Sequence, residues 1–200
     1  RPLRDSEQVH KVRKKQGRVA IFTGCSVNYL FPSLGESLVN ALRGIGYEVI
    51  LPKGEACCGS PLRALGLEEE AAALAKQNYQ IFSKLKVDAI LSLCPTCSFT
   101  LKSEYPKLIG HGFEKATDIS AFFLDKLDAT VPIRKTAVFH DPCHLAHGLG
   151  IRRAPREIIK KAGFELLDAG ASECCGFGGV FCASYKNISK NLLQKSAKKL

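Results

Sequence analysis

The chain has 200 residues, 46% of them hydrophobic and 24% charged, and this composition predicts a soluble globular chain of one domain or two small ones. No apolar run approaches the roughly 18 residues that a transmembrane helix needs, and no signal peptide is visible. The nine cysteines, if they are kept as thiols for a metal, predict a reducing cytoplasmic location, either free or on the inner face of the membrane. The lack of methionine and the start at Arg1 predict a segment of a longer protein.

The formal net charge of +10 is concentrated at the two ends of the chain. Residues 1–18 hold seven Lys and Arg against two acids, residues 186–200 hold five against none, and residues 19–185 hold seventeen of each sign. A nucleic-acid surface would place a basic stripe across the fold, with aromatic side chains between the cations. The distribution instead predicts docking or solvated basic tails, and no nucleic-acid partner.

The first half of the chain alternates predicted strands with predicted helices. In order, these are strand 19–22, a helix that begins at the capping box of Ser33 and Glu36, strand 47–51, helix 67–86 and strand 87–93. This alternation predicts an α/β fold with a parallel, Rossmann-like sheet. Ligands of such sheets bind beyond the carboxyl ends of the strands.

Five cysteines follow the carboxyl ends of the three predicted strands: Cys25, Cys57, Cys58, Cys94 and Cys97. They stand in the order Cys-x31-Cys-Cys-x35-Cys-x2-Cys. Because parallel strands end at one edge of a sheet, the fold is expected to bring these distant residues to one site. Adjacent cysteines seldom form a disulfide with each other, but both can reach one multinuclear cluster.

Several uses of these thiols remain open, and an iron–sulfur cluster is the one we favour. A zinc site normally takes four ligands from compact Cys-x2-Cys pairs, and only one such pair is present. A disulfide framework is typical of short secreted domains with an even number of cysteines, whereas this chain has nine. Zinc ligation, disulfides and plain buried cysteines are the alternatives.

Part of the cysteine pattern returns in the second half, which indicates an internal repeat. Cys143 lies 118 residues after Cys25, and the pair Cys174 and Cys175 lies 117 residues after the first pair. A second Cys-x2-Cys would fall beyond the last residue, at about position 211.

The repeat predicts three segments: a basic linker at 1–18 from an upstream region, a first repeat at 19–130, and a second repeat at 131–200 that is truncated before its Cys-x2-Cys. Both repeats are predicted to be Rossmann-like, with parallel sheets and with cysteines at the carboxyl ends of the strands.

Other residues beside the cysteines are candidates for supporting roles. Gly24, Gly59 and Gly176 would let the backbone approach closely and direct amide N–H groups at cluster sulfurs, although ordinary tight turns explain them nearly as well. His144 is expected either to lie beside the ligands of a second cluster without binding the metal itself, or to make a structural hydrogen bond. Cys182 is either a substitute ligand or, as we favour, a small buried residue.

With these motifs the chain resembles the cysteine-rich CCG-domain family. That family includes the B and D subunits of heterodisulfide reductase, the iron–sulfur subunit of glycolate oxidase, and the lactate-utilisation and anaerobic glycerol-3-phosphate dehydrogenase iron–sulfur proteins. The resemblance covers residues 19–200, and the motifs at 140–151 and 174–179 are most similar to the lactate and glycolate branch. It implies a four-iron cluster at each complete motif, of noncubane type in the heterodisulfide reductases.

The resemblance also implies a function and partners. The chain would be an iron–sulfur subunit with a [4Fe-4S] cluster on its first five cysteines, while Cys143, Cys174 and Cys175 contribute to a second site. Electrons would come from a flavoprotein that oxidises glycolate or lactate and pass to a quinone or another acceptor, within a hetero-oligomer that includes ferredoxin-like clusters. One alternative is a heterodisulfide or disulfide reductase with the cluster as active site, and another is a zinc-stabilised interaction module.

Overall fold

The computed structural model describes Leu3, residues 8–128, Ile133, residues 135–167 and residues 174–198. The chain divides into two compact units, each described by itself below. The first comprises Arg1–Arg63 and Leu67–Ile119, and the second comprises Ala64–Gly66 and Ser120–Leu200. The predicted boundary between residues 130 and 131 lies outside the described residues.

The first unit is built on a five-stranded sheet. Its strands, in chain order, are β1 (Gln8–His10), β2 (Gly17–Ile21), β3 (Tyr47–Leu51), β4 (Ala89–Ser92) and β5 (Ala116–Asp118). Their spatial order is β1-β3-β2-β4-β5. All neighbours pair in parallel except β1, which lies antiparallel to β3. The predicted α/β fold is confirmed, and part of the basic segment 1–18 forms an edge strand of this sheet.

Helices connect the strands of this unit. They are α1 (Pro32–Gly44), α2 (Ser60–Ala64), α3 (Glu68–Phe82), α4 (Pro95–Phe99) and α5 (Tyr105–Ile109), with π-helical turns at Ser26–Leu30 and Thr100–Glu104. Helix α1 begins at Pro32, so the predicted start at a Ser33 capping box is wrong. Proline is favoured at the first helical position because its fixed φ suits the helix and its missing N–H is not needed there.

The core of the first unit lies around its central strands. Val19, Ala20 and Ile21 of β2 are fully buried, as expected for a parallel strand covered on both faces. Phe22 continues the ladder because its N–H donates to the carbonyl of Leu91 at 2.8 Å. Two of the predicted ligands, Cys58 and Cys97, belong to the buried cluster that also contains Phe22, Phe82, Leu101 and Tyr105. The candidate site is therefore continuous with the hydrophobic core.

The second unit holds a smaller sheet of two parallel strands, β6 (Thr136–Val138) and β7 (Glu165–Leu167). Its helices are α6 (Ile119–Phe123), which begins at the last residue of the first unit, α7 (Arg153–Lys161), α8 (Phe181–Ser184) and α9 (Lys186–Ala197), with a π-helical turn at His144–Gly148. The Lys161 Nζ donates to the carbonyls of Leu124 and Leu127 at 2.6 and 2.9 Å. These bonds fix α7 to the segment that follows α6.

None of the helices among the described residues combines the length and the apolar character that crossing a membrane would require.

Candidate metal centre

The topology of the first unit places a crevice between β2 and β4. The chain leaves β2 for β3 on one side of it and then returns to β4 on the other side, so the connections at the carboxyl ends of β2 and β4 diverge. Cys25 follows β2, and Cys94 and Cys97 follow β4. A Cβ atom added to Gly24 would lie 2.9 Å from the Cys97 Sγ, so these two segments are in direct contact.

The thiols at this crevice form a connected hydrogen-bonded group. The thiols of Cys57 and Cys97 donate to Cys58, and Cys97 also bonds with Cys94. The charge of Cys25 also raises the pKa of Cys57, so Cys25 lies within electrostatic range of that thiol. Cys58 and Cys97 are buried, whereas Cys25 is exposed. The structure thus brings together all five cysteines that the sequence singled out in this half.

Hydrogen bonding among these thiols lowers the pKa of some of them and raises the pKa of others. Bonds from Cys57 and then Cys97 outweigh burial and lower the pKa of Cys58 to about 3. The bond with Cys97 likewise lowers the pKa of Cys94 to about 6. The pKa values of Cys57 and Cys97 are raised, first by their hydrogen bonds to Cys58. Because the thiolate is the metal-binding form, the lowered pKa values of Cys58 and Cys94 favour the form that can bind a metal.

The five thiols are distributed over the three loops that follow β2, β3 and β4, which is compatible with a cluster of several metal atoms. In the part of the chain that the structure describes, no three His, Cys, Asp or Glu side chains form a group that could hold one metal ion. A polynuclear cluster distributes its thiolates over several iron atoms, so its ligands need not converge on one point. Five thiols on three neighbouring loops fit that donor requirement.

A buried glutamate fixes the turn that leads to Cys25. Glu55 is 4% exposed, and its carboxylate accepts the N–H of Thr23 at 3.1 Å, the Thr23 hydroxyl at 3.1 Å and the N–H of Gly24 at 2.7 Å. Charge-assisted bonds of this kind are about twice as strong as neutral ones. The loop before Cys57 is thereby tied to the loop before Cys25. Gly24 holds the turn at φ +60° and points its N–H at this carboxylate.

Asn78 of α3 fixes the loop that carries the adjacent cysteines. Its side chain is fully buried, accepts the N–H of Ala56 at 2.8 Å, and donates to the carbonyl of Cys57 at 3.0 Å and to the Tyr105 hydroxyl at 2.9 Å. Burial raises the pKa of Tyr105, so this hydroxyl stays protonated. One amide therefore joins the Cys57 loop, the helix below it and the segment after Cys97.

An ion pair joins the elements that follow the two cysteine pairs. Arg63 at the end of α2 contacts the buried carboxylate of Glu104, to which Lys107 also donates at 2.9 Å. Since α2 follows Cys58 and Glu104 follows Cys97, the pair holds both cysteine-bearing segments in one arrangement.

The sequence analysis missed Glu55, Asn78 and Glu104. Asn78 left a signal, because Ala71, Ala75, Asn78 and Phe82 form one buried stripe of α3, and a polar residue on such a stripe needs hydrogen-bond partners. Glu55 stands two positions before Cys57 with no acid nearby in the loop, which is a weaker signal.

The second unit contains a smaller set of neighbouring thiols. Burial raises the pKa of Cys143, and the charges of Cys174 and then Cys175 raise it further, so the three lie close together. Cys143 and Cys174 are exposed. The N–H of Gly176 donates to the Cys174 Sγ at 3.4 Å, as the N–H of Gly59 does to Cys57 in the first unit.

The glycine of each Cys-Cys-Gly turn also packs against a helix. Gly59 has φ +90°, and an added Cβ would lie 3.2 Å from the carbonyl oxygen of Ala71 in α3. Gly176 has φ +72°, and its Cβ would lie 2.8 Å from the carbonyl oxygen of Ser189 in α9. Both turns need glycine for the backbone angle and for the close approach. The two units therefore repeat the same local structure.

His144 directly follows Cys143 in the chain, and Cys182 lies seven residues after Cys175, in α8. His144 is half-buried at the first residue of the π-helical turn after Cys143. The Cys182 Sγ, in α8, donates to the carbonyl of Gly179 at 3.4 Å. The buried carboxylate of Asp141, two residues before Cys143, pairs with both guanidinium nitrogens of Arg156 at 2.6 and 2.9 Å. This pair anchors the segment that presents Cys143 to α7.

Fold and site together define an α/β protein with a set of five cysteines at the carboxyl edge of a parallel sheet. A smaller set of three cysteines follows later in the chain. The model of the CCG family, the cysteine-rich domain, matches residues 19–102 and 137–200. The chain belongs to this family, which confirms the predicted resemblance.

Several curated proteins are similar to this chain. It is 35% identical over 185 residues to the B subunit of fumarate reductase (CoM/CoB) from Methanothermobacter marburgensis, covering 90% of this chain and 37% of that protein. It is 35% identical over 196 residues to an uncharacterised iron–sulfur protein of Methanocaldococcus jannaschii, covering 97% and 39%. It is 28% identical over 196 residues to lactate utilization protein A 2 of Bacillus cereus, covering 90% and 80%. The chain thus spans less than two fifths of the length of the first two relatives.

Proposed function

We propose that this chain is the CCG region of an iron–sulfur subunit of an oxidoreductase. The observation that carries the proposal is the set of five cysteines on the loops that follow β2, β3 and β4, in which hydrogen bonds among the thiols lower the pKa values of Cys58 and Cys94. The similarity to a protein named as an iron–sulfur protein, over 97% of this chain, supports the same cofactor.

The proposed ligands of the first cluster are the five cysteines of the first unit: Cys25, Cys57, Cys58, Cys94 and Cys97. A [4Fe-4S] cluster of the noncubane form is the type that we propose, because five thiolates exceed the four that a cubane cluster takes. Cys143, Cys174 and Cys175 would contribute to a second site.

Once bound, such a cluster accepts and releases single electrons. The protein's own residues hold the ligands and exclude water. Burial of Cys58 and Cys97 removes the inner part of the site from solvent, while Cys25 leaves one side open. Glu55 and Asn78 hold the two loops in place through hydrogen bonds of the protein itself.

Metal analysis tests the cofactor. Protein purified without oxygen is expected to contain iron and acid-labile sulfide in about equal amounts, with an EPR signal after reduction. Cys58→Ser and Cys94→Ser should lose most of the iron of the first site, whereas the matched control Cys182→Ser should keep it. Stoichiometric zinc without sulfide would overturn the proposal and favour a zinc-stabilised module.

For the reaction, we propose that electrons arrive from a flavoprotein subunit that oxidises a 2-hydroxy acid such as lactate or glycolate. The similarity to lactate utilization protein A 2 supports this direction, because it extends over 80% of that protein. The complex would be a hetero-oligomer with ferredoxin-like clusters, in the cytoplasm or on the inner face of the membrane, and would deliver electrons to a quinone or another acceptor.

Reconstitution tests this reaction. The purified complex is mixed with lactate or glycolate, and cluster reduction is followed by absorbance and EPR. Reduction should be lost in Cys94→Ser and kept in Cys182→Ser. If neither acid reduces clusters that dithionite does reduce, the proposed donors are wrong, although the iron–sulfur assignment stands.

Disulfide reduction is a second candidate, and the exposure of Cys25 favours it. This thiol borders the crevice from the solvent side, so a small disulfide could approach the site. The relative named the B subunit of fumarate reductase (CoM/CoB), at 35% identity, is a reductase subunit, which is compatible with this candidate. Adding a small mixed disulfide to the reduced protein separates the candidates: a disulfide reductase releases two thiols per two electrons consumed, whereas an electron carrier leaves the disulfide intact.

A further inference from the structure

A basic cleft lies at the edge of the first unit that is opposite the cysteines. It measures about 530 Å³ and is formed by the connection between β1 and β2 and by the turn between α1 and β3. Four cationic side chains line it: Lys11, Arg13, Lys14 and Arg43. These segments precede the amino ends of β2 and β3, whereas the cysteines follow the carboxyl ends.

The backbone fixes the walls of this cleft. Strand β1 pairs with β3 directly before the cationic segment, in a register that places His10 opposite Val49. The N–H of Gln16 then donates to the carbonyl of Gly46 at 2.8 Å. Gly46 has φ +84°, and an added Cβ would lie 3.0 Å from the carbonyl oxygen of Lys14. The two loops that carry the cations are therefore held together in the absence of a ligand.

The acids near the cleft are already engaged. Glu48 of β3 pairs with Arg18 at 2.5 Å and with Lys15 at 3.9 Å, and Asp88 accepts the backbone N–H of Arg18 at 2.7 Å. None of the four lining cations forms an ion pair with an acid that the structure describes. The carbonyl of Arg43, in the last turn of α1, accepts the N–H of Gly46. Among the described residues, the four positive charges of the cleft are therefore not balanced by ion pairs.

We propose that this basic cleft binds a small molecule with at least two phosphate groups. Its volume is in the usual range for ligand pockets, and the Arg guanidinium geometry matches phosphate oxygens in pairs. The half-buried side chains of Val12 and Ile45 add an apolar wall for the rest of such a molecule. A protein partner would instead require a surface of about 800 Å² rather than a concave cleft between two short loops.

The site is independent of the proposed cluster. Strand β2 has five residues, so its two ends are separated by about 13 Å, and the cleft and the thiols lie at opposite ends of this strand. Loss of iron from the protein should therefore leave phosphate binding unchanged.

Titration calorimetry of the full chain with inorganic tripolyphosphate at about 0.15 M salt tests the proposal, because exposed charges are well screened there. Saturable binding of one anion per chain is expected, with orthophosphate weaker. The double variant R13Q/R43Q should bind at least about tenfold more weakly, since charge-assisted hydrogen bonds to both guanidinium groups are lost. The control R153Q removes an exposed arginine of α7 and should bind as the unaltered chain does.

Three results would overturn the proposal: no saturable binding of tripolyphosphate, equal weakening in R13Q/R43Q and R153Q, or binding only to vesicles with anionic lipid or to an acidic peptide. Circular dichroism checks that R13Q/R43Q folds. If it does not fold, the pair K11Q/K14Q replaces it, with the same expected loss of tripolyphosphate binding.

Discussion

Replacing Asn78 with alanine tests how the cysteine loop is held. The substitution removes three hydrogen bonds and leaves the N–H of Ala56, the carbonyl of Cys57 and the Tyr105 hydroxyl without their partner. At about 1 kcal/mol for each bond, the free energy of unfolding should fall by about 3 kcal/mol. That is a large share of the roughly 5–15 kcal/mol that holds a typical domain folded.

Urea denaturation of the metal-free protein measures this loss, and iron content after reconstitution measures its effect on the site. Tyr105→Phe is the matched control, because it removes only the bond between Asn78 and the hydroxyl and should cost about 1 kcal/mol. We also expect N78A to take up less iron than Y105F, since only N78A frees the carbonyl of Cys57. The reasoning is refuted if N78A loses less than about 1 kcal/mol, or if Y105F loses as much as N78A.

Three further predictions concern the same scaffold. Glu55→Gln should destabilise the metal-free protein by about 2 kcal/mol, because it replaces charge-assisted bonds to Thr23 and Gly24 with weaker ones; urea denaturation checks this, and an unchanged midpoint would contradict it. In the metal-free protein, thiolate absorbance near 240 nm should fall in a step as the pH drops through about 6, because the lowered pKa of Cys94 makes it a thiolate above that value; Cys94→Ser should lack that step. Gly176→Ala should be less stable to heat than Gly150→Ala, since both have positive φ but only Gly176 would bring a Cβ within 3 Å of backbone; equal melting temperatures would exclude the packing explanation.

Strong local patterns made most of the first unit predictable. The strands at 17–21, 47–51 and 89–92 coincide with apolar runs, and the helix at 68–82 coincides with an apolar stripe, because burial of these faces drives their formation. Strand β1, Gln8–His10, was missed because it is short, polar and at the edge. Its place in the sheet comes from pairing with β3 and not from its own propensity.

The cysteines of the candidate site were predictable from the sequence, but the hydrogen bonds that hold their loops were not. The positions of the five cysteines after the predicted strands were enough to predict that they lie at one edge of the sheet, because parallel strands end at the same edge. Which thiols hold protons could not be read from the sequence, because it depends on the hydrogen bonds among Cys57, Cys58 and Cys97. Glu55 was hidden for a similar reason: its partners are backbone N–H groups, which every residue type except proline carries.

Strand β1 also protects the sheet against self-association. Without it, β3 would present a free row of N–H and C=O groups, and such an edge is a template for pairing with the same edge of another molecule. The strand is short and leads directly into a run of lysines and arginines, so its own outer edge is limited in length and flanked by repelling charges. The residues of β1 that pair with the edge of β3 therefore also oppose pairing between the sheets of two molecules.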